Sequence, residues 1–495
     1  MGVIQRQSIK YSIVSFVSVF VGAMSVIFIY PNDRATYGLL QYLTDFAKFM
    51  MPLLSLGAHA LVIRFFPKFK NKTQQHHGFL GILIVLAALG FLVTMFVFSV
   101  FESSFYKLLE PLGFQIDLIA PYIRPIFLLA GILLFNRILT SYISVFGRVV
   151  VPNIINNFFI KLLLPALILI HLWGWVALET LIYLLLGGYI SGVIVLIIYL
   201  IQLGEFHVKP NFAFISPQLR REMSAYALYA ILVGSAPILA QSIDSLMVTT
   251  LVNAESNGDY NIFRFMSNTI DIALFALVAI SAPIISTKFE EEDMEGIKRL
   301  YQKTSVNGLV VGSLIFIGIY CNLDDLLHLT WKYEVLAPLK AVFVYLGLAK
   351  LFDVATSLNS QIIGFSKYFR FNFWVIILFA IINLINNYLF IQYWGFSTVG
   401  AAMATCISIF SYNAIRLLFI WWKFKMLPFT KEVGVLIVLA LLVGYFGVQL
   451  PLHLSPLLNM VIRSLFIVGS YSFLVLYFRI SDDVNQLVRK YWEAL

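Results

Sequence analysis

Cysteine is nearly absent from this sequence: Cys321 and Cys406 are the only two in 495 residues, and both sit in or at the end of apolar stretches. A disulfide framework or a cysteine-based zinc site cannot be built from them, and the redox compartment stays open. Charge is scarce too. Only 12% of the residues are charged and 60% are hydrophobic, against roughly a quarter charged and about half apolar in soluble domains. No soluble core accounts for that balance. A phosphate-binding P-loop, a zincin histidine pair and a nucleophile elbow are also missing. His76 and His77 are adjacent but have no Cys or carboxylate cluster beside them in the chain, so they are not read as a metal site. Asn71-Lys72-Thr73 fits a glycosylation sequon by chance, since it falls on the cytoplasmic side.

What is present is apolar length. A spanning helix needs about 20 mostly apolar residues to cross roughly 30 Å of hydrocarbon. About fourteen such stretches occur, near 11–30, 39–65, 78–100, 121–143, 152–172, 175–202, 227–252, 262–285, 304–322, 339–361, 371–392, 399–421, 433–450 and 457–478. The expected fold is all-α, a polytopic membrane bundle. The opening MGVIQRQSIK and its apolar run resemble a signal peptide, but the run is long and no small-residue cleavage site follows, so it is read as the first span. With the N-terminus inside, 21 of the 34 Lys and Arg fall in cytoplasmic segments, four fall outside (Arg34, Lys107, Lys332, Lys340) and nine lie within spans. Both termini are therefore expected in the cytoplasm, and the net charge of +9 needs no nucleic acid to explain it.

The longest cytoplasmic connection, 203–226, separates an N-terminal six-helix half (1–202) from a C-terminal one (227–421). Helices 13 and 14 occupy 433–478, and the tail 479–495 follows. Ser481-Asp482-Asp483 can cap a short helix in that tail. Val484, Leu487, Val488, Tyr491 and Trp492 then share one face, which suits the cytoplasmic interface. Internal matches support a duplication. Tyr37-Gly-Leu-Leu-Gln41-Tyr42 parallels Tyr260-Asn-Ile-Phe-Arg264-Phe265 at an offset of 223, Leu134-Phe135-Asn136 parallels Leu351-Phe352-Asp353 at 217, and Trp173-Gly174-Trp175 parallels Trp394-Gly395-Phe396 at 221. Two copies of an even number of spans enter from the same side, giving parallel repeats about an axis along the membrane normal.

An ionisable residue inside a span costs about 2.5–3.5 kcal/mol on insertion scales, so it faces a partner or a wet cavity. The positions are Asp45 and Lys48, Arg137, Asp244, Arg264 and Asp271, and Lys350 and Asp353, with Lys161 and Glu179 beside them. The repeat sets Lys48 against Asp271 at one depth, near the midplane, so spans two and eight are expected to flank a cavity where these charges meet a substrate or each other. The plainer alternative pairs Asp45 with Lys48, and Lys350 with Asp353, at i, i+3 on their own helices. Arg64, Arg124 and Arg463 are read as snorkelling to the interface. Pro52, Pro165, Pro237 and Pro283, with Gly57 and Gly90, mark places where spans can bend. Gly188-Tyr-Ile-Ser-Gly192 reads as a packing motif.

Several of these residues resemble a known family. Tyr37-Gly-Leu, Gly57 and Arg64-Phe-Phe-Pro-Lys-Phe69 are similar to the start of bacterial polysaccharide-export proteins, especially those of Bacteroidetes type. Tyr260-Asn-Ile-Phe-Arg264, with Pro283 nineteen residues after the Arg, is similar to the eighth helix of the bacterial lipid II flippases. Over essentially its whole length the chain resembles the polysaccharide flippases of the multidrug/oligosaccharidyl-lipid/polysaccharide (MOP) exporter superfamily.

The resemblance implies a transporter rather than an enzyme. It would move an undecaprenyl-pyrophosphate-linked oligosaccharide to the outer leaflet of a bacterial plasma membrane by alternating access. It also implies no cofactor beyond coupling to Na⁺ or H⁺, and as partners the lipid-linked sugar, membrane lipids and polysaccharide assembly proteins. The cavity role of the family's arginine carries over to Arg264 only. Met50, Met51 and Pro52 stand where the family has arginines in its second helix, so roles for Lys48, Asp271, Asp45 and Arg137 in substrate binding rest on the repeat and on depth. Asp244 and Asp353 are the candidates for cation coupling. The helices at 433–478 would help form a groove for the lipid tail. A cation-coupled multidrug exporter is the competing reading. A membrane polymerase or glycosyltransferase comes next, and it would need a fold-sized insertion that the short connections do not supply.

Overall fold

The computed structural model describes residues 3–450 and 454–492, and every regular element among them is helical. By its contacts the chain divides into two compact units, residues 1–258 and 259–495. The first holds α1 (Val3–Phe28), α2 (Arg34–Ser55), α3 (Ala58–Phe69), α4 (Phe79–Leu109), α5 (Ile123–Ser144), α6 (Ile160–Leu172), α7 (Leu178–Gln202) and α8 (Pro217–Leu251). The division falls within α9 (Ala254–Asn268). The second unit continues with α10 (Asp271–Glu290), α11 (Met294–Cys321), α12 (Leu323–His328), α13 (Lys340–Ala355), α14 (Asn359–Phe365) and α15 (Arg370–Asn387). It ends with α16 (Ser397–Phe424), α17 (Lys431–Gln449), α18 (Pro456–Tyr477) and α19 (Asp482–Trp492). α8 packs on α2 and α3 and so groups with the first unit.

The all-α membrane architecture expected from composition is the one observed. Among the described residues ten helices are long and apolar enough to cross a membrane, or eleven if Ile13–Phe28 and Tyr30–Pro52, bent by 49°, make one span. The count of fourteen is not confirmed on this measure. Two of the stretches that fall short, 39–65 and 262–285, are split between α2 and α3 and between α9 and α10. A charge or a break shortens the apolar run that a straight helix would offer. α19 forms in the expected amphipathic tail, although the side chains of Leu487, Tyr491 and Trp492 on its apolar face, and that of Pro237 in α8, lie outside what is described.

The break in the second expected span comes at glycine rather than proline. Pro52, Pro165 and Pro283 lie inside continuous helices. Leu56 and Gly57 adopt φ of 42° and 77°, and a Cβ on Gly57 would come within 2.6 Å of the Ala227 carbonyl oxygen. Only glycine fits both the left-handed backbone and that close approach. The Gly188/Gly192 motif serves packing. Cβ atoms there would collide with Leu163 and Ile155, so α7 settles against α6 and the π-helical turn before it.

Between α3 and α4 the chain makes a left-handed turn. Gln75, His76 and His77 have φ near 50° and Gly78 has 65°. Each non-glycine residue in this conformation costs roughly 1–2 kcal/mol, so the turn must be held from outside. His76 is fully buried: its Nδ1 accepts the Asn71 amide at 3.1 Å, and its Nε2 lies 2.7 Å from Glu205 Oε2. That pattern places the proton on Nε2, facing the carboxylate. His77 stacks on Phe214 with centroids 3.7 Å apart. Glu205 is far from His76 in sequence, and nothing local to the His pair announces it.

α11 starts on Asp293, whose carboxylate accepts the Gly296 amide at 2.8 Å and pairs with Lys288. The Lys288 ammonium, joined by that amide, holds the carboxyl below its usual range.

Two tests follow from these anchors. His76→Ala leaves Glu205 buried without its partner and should destabilise the protein by about 1–3 kcal/mol, whereas Gln75→Gly should raise the thermal midpoint by relieving one left-handed residue. Thermal unfolding of the purified protein distinguishes the two directions. For Asp293 the folded pKa lies below the unfolded one, so its contribution is present at neutral pH and is lost as pH falls through the carboxylate range. Asp293→Asn should therefore lower the midpoint clearly at about pH 7 and much less at about pH 3.

Candidate functional site

In the first unit, α2 carries Asp45 and Lys48 one turn apart. Lys48 Nζ lies 3.2 Å from Asp45 Oδ1, with the carboxylate buried and the lysine side chain 45% exposed. Asp45 thus anchors a lysine that keeps N–H donors available for another acceptor. Arg137 lies on an exposed position of α5, and Asp244 is buried on α8 with Ser242, Ser245 and Thr249 of the same helix. Lys161 is half-buried on α6, and Glu179 is exposed in the first turn of α7.

The second unit gathers its charges across helices. Lys350 of α13 pairs with Asp271 of α10, Nζ to Oδ2 at 2.6 Å, and not with Asp353 on its own helix. Asp353 instead accepts the Asn413 side-chain amide of α16 at 3.0 Å. One turn further along α16, Arg416 is buried, with its guanidinium carbon 3.9 Å from the centroid of the Tyr412 ring. Arg416 Nε and Nη2 and Asp271 Oδ1 are buried without a hydrogen-bond partner among the described residues. Arg264, half-buried on α9, donates to Asn261 Oδ1 at 3.3 Å. Asp271, Lys350, Asp353 and Arg416 together balance two positive charges against two negative ones, which lowers the cost of holding them inside a bundle.

Three features escaped the sequence reading. Arg416 and Asn413 complete the cluster, and their signal was the i, i+4 spacing of Tyr412 and Arg416. Arg463 does not snorkel as expected: it is buried and bonded to Asp325 of α12, which also accepts the Asn459 amide at 3.0 Å. A carboxylate at the end of a neighbouring helix outcompetes the interface. The third is a recurring Asn-x-x-Asn-Asn, at Asn153, Asn156 and Asn157 and again at Asn383, Asn386 and Asn387. In each copy the middle amide reaches a hydroxyl on another helix, Asn156 to Thr140 at 2.9 Å and Asn386 to Ser408 at 3.2 Å. Such bonds are the usual polar glue between spanning helices.

An apolar groove of about 590 Å³ lies in the second unit among α11, α13, α16 and α17. Phe316, Leu348, Phe352, Phe410, Val433 and Ile437 line it, with Ser313 and Thr430 the polar exceptions. Its size falls in the range of small-molecule sites, about 300–1,000 Å³. The groove and the charge cluster share two helices, since α13 supplies Phe352 between Lys350 and Asp353, and α16 supplies both Phe410 and Arg416.

The Lys350–Asp271 pair gives a test. Lys350→Ala leaves a buried carboxylate alone and should cost about 3–5 kcal/mol, while the double change Lys350→Met with Asp271→Asn should recover most of it. Thermal unfolding of the three proteins in one detergent measures both, and a double variant no more stable than Lys350→Ala would show that the pair does not act as a unit.

Comparison with known proteins agrees with this architecture. The family model described as "Polysaccharide biosynthesis protein" matches residues 10–289. A membrane protein of Methanocaldococcus jannaschii described as uncharacterised is 22% identical over 466 residues, covering 89% of this chain and 88% of its own. Among solved structures, the lipid II flippase MurJ in its inward closed conformation aligns with a TM-score of 0.69 and 14% identity over 95% of this chain and 99% of that one. An inward-facing multidrug resistance MATE family transporter of the MOP superfamily aligns with a TM-score of 0.59 and 12% identity over 84% and 94%. At such identities the two structural likenesses speak for the fold. The family match spans more than half of the sequence. The chain belongs to the polysaccharide biosynthesis protein family and has the helical membrane fold shared by MOP-superfamily flippases and transporters.

Proposed function

We propose that this protein is a flippase that carries an undecaprenyl-pyrophosphate-linked oligosaccharide, such as the repeat unit of an O-antigen, capsule or exopolysaccharide, from the inner to the outer leaflet of a bacterial inner membrane. It works by alternating access, with both termini cytoplasmic and two parallel six-helix repeats followed by helices 13 and 14. The observation that carries this reading is the apolar groove built on the same helices as buried charges. A cargo with a long hydrocarbon chain and a pyrophosphate head needs both surfaces.

Arg264, Lys48 and Arg137 are the cationic groups that meet the pyrophosphate, because charge-assisted hydrogen bonds to phosphate oxygens are roughly twice as strong as neutral ones. Asp45 and Asp271 position the lysines beside them. An inside-negative potential assists outward movement of an anion by about 2.3 kcal/mol per charge per 100 mV. Asp244 and Asp353 are the places for coupling to Na⁺ or H⁺. Membrane lipids and polysaccharide assembly proteins are the partners of the cycle. The family and its structural neighbours support a transporter rather than an enzyme. A cation-coupled multidrug exporter is the second reading, favoured by the carboxylates Asp45, Asp244 and Asp271, the first two of them buried.

Flipping of a polyprenyl-pyrophosphate oligosaccharide in proteoliposomes, with and without a Na⁺ or pH gradient, tests the proposal. Arg264→Ala and Lys48→Ala should insert normally and lose transport by at least about tenfold, the worth of one charge-assisted hydrogen bond. Gly434 lines the groove and has nothing within 4 Å of its Cβ direction, so Gly434→Phe should fit yet slow long-chain cargo more than a short-chain analogue. Wild-type transport by all three variants at matched protein levels would refute the assignment, and drug efflux without lipid-linked sugar transport would favour the second reading.

A further inference from the structure

From Val354 to Lys431 the sequence has no Asp or Glu, yet it carries Lys367, Arg370, Arg416, Lys423, Lys425 and Lys431. Four of these, Lys367, Arg370, Lys423 and Lys425, are exposed and lie together where the 366–371 turn meets the end of α16. Aromatic contacts fix that junction. Phe371 stacks on Phe419 at 3.8 Å, and Tyr368 meets Phe419 and Phe424 at 5.6 and 6.0 Å. Every one of the four cations lies over a ring. Lys367 and Lys423 sit 5.3 and 5.5 Å from the single Tyr368 ring, Lys423 is also 3.5 Å from Trp422, Lys425 is 5.4 Å from Trp421, and Arg370 is 5.8 Å from Phe369.

None of the four has a carboxylate partner among the described residues, whereas Lys68, Lys288 and Lys303 pair with Glu222, Asp293 and Asp483. Two ammonium groups gathered on one tyrosine repel each other, and a bound anion removes that repulsion. Lys425 adds an independent sign. It ends α16 with φ 54° and ψ 36°, the left-handed cap that glycine normally fills. A lysine held in that conformation is a strained residue whose charge the site uses.

We infer that this cation–aromatic surface, formed by the α14–α15 turn and the end of α16, binds the phosphate headgroup of an anionic membrane phospholipid. Phe369, Trp421 and Trp422 are 43%, 51% and 60% exposed. Exposed aromatic rings at the end of a spanning helix sit at headgroup level, and clustered Lys and Arg there are attracted to anionic leaflet lipids. A soluble phosphate would have no use for the exposed indoles. The surface stands on one helix end of the second unit and is distinct from the groove and the charge cluster.

The test uses the full-length protein in detergent supplemented with phosphatidylglycerol, phosphatidylcholine or inorganic phosphate. For the wild type, phosphatidylglycerol should raise the thermal midpoint above that in phosphatidylcholine, and inorganic phosphate should not reproduce the shift. K367Q/R370Q/K423Q/K425Q should lose most of the difference between the lipids, while K70Q/K72Q/R220Q/R221Q, which removes equal charge elsewhere, should keep it. The inference is overturned if the first variant keeps its selectivity, if the second loses it equally, or if inorganic phosphate gives the same shift. Should the first variant fail to fold, native mass spectrometry of the wild type decides: preferential retention of phosphatidylglycerol supports the site, and equal retention of the two lipids overturns it.

Discussion

A charge carried into a bundle of spanning helices must find an opposite charge or a hydrogen bond, and the Lys350–Asp271 pair is where that constraint ties the second unit together. Partner choice has mechanical meaning. Lys48 and Asp45 pair on a single helix, so that bond by itself ties α2 to no other helix. Lys350 reaches from α13 to α10 and leaves Asp353 to Asn413 of α16, so three helices are joined through two short polar contacts. The charge contacts of the second unit therefore cross between helices, whereas the Lys48–Asp45 bond stays within one.

The same constraint secures the helix pair at the C-terminal end. Arg463 and Asn459 of α18 converge on Asp325 of α12, and Asn322 donates to Ser464 at 3.1 Å. At the opposite end Asp483 takes Asn307 and Lys303 of α11. Between these points Val306, Ile317, Leu436, Val443, Ile467 and Tyr471 form one apolar core, and the Tyr471 hydroxyl donates to the Val310 carbonyl at 3.0 Å. α18 is thus fastened to its neighbours along its length, and α17, packed on both α11 and α18, offers another side to the groove. A wall fixed in this way suits the proposed long-chain cargo, whose affinity would grow with each buried methylene.

The helical membrane architecture, the sites of charge and the placement of glycine motifs were legible from residue order, because each depends on neighbours within a few turns; where a span breaks was not. Asp45 with Lys48 was legible for that reason. Long-range partners were not. Lys350 has a carboxylate at i+3 and takes one 79 residues away instead; Arg463 stands alone in its helix yet finds Asp325; His76 finds Glu205 across 129 residues. Helical periodicity gives the face of a residue and its depth, and partner identity depends on which helix packs beside it. The left-handed turn was hidden for a related reason. Gln75, His76 and His77 carry no glycine signature, and only tertiary contacts hold them there.

That turn also constrains motion. Left-handed residues are expensive everywhere except where Glu205, Phe214 and the Asn71 amide support them. If α4 slid by one residue along its axis, Gly78 would leave the position where a Cβ would lie 1.9 Å from the Lys209 carbonyl oxygen, and Phe79 would have to enter it. The turn therefore acts as an index pin. α4 keeps its register at that end, so a tilt about it, with displacement growing along the helix away from His76, would preserve these contacts where a slide along the axis would break them.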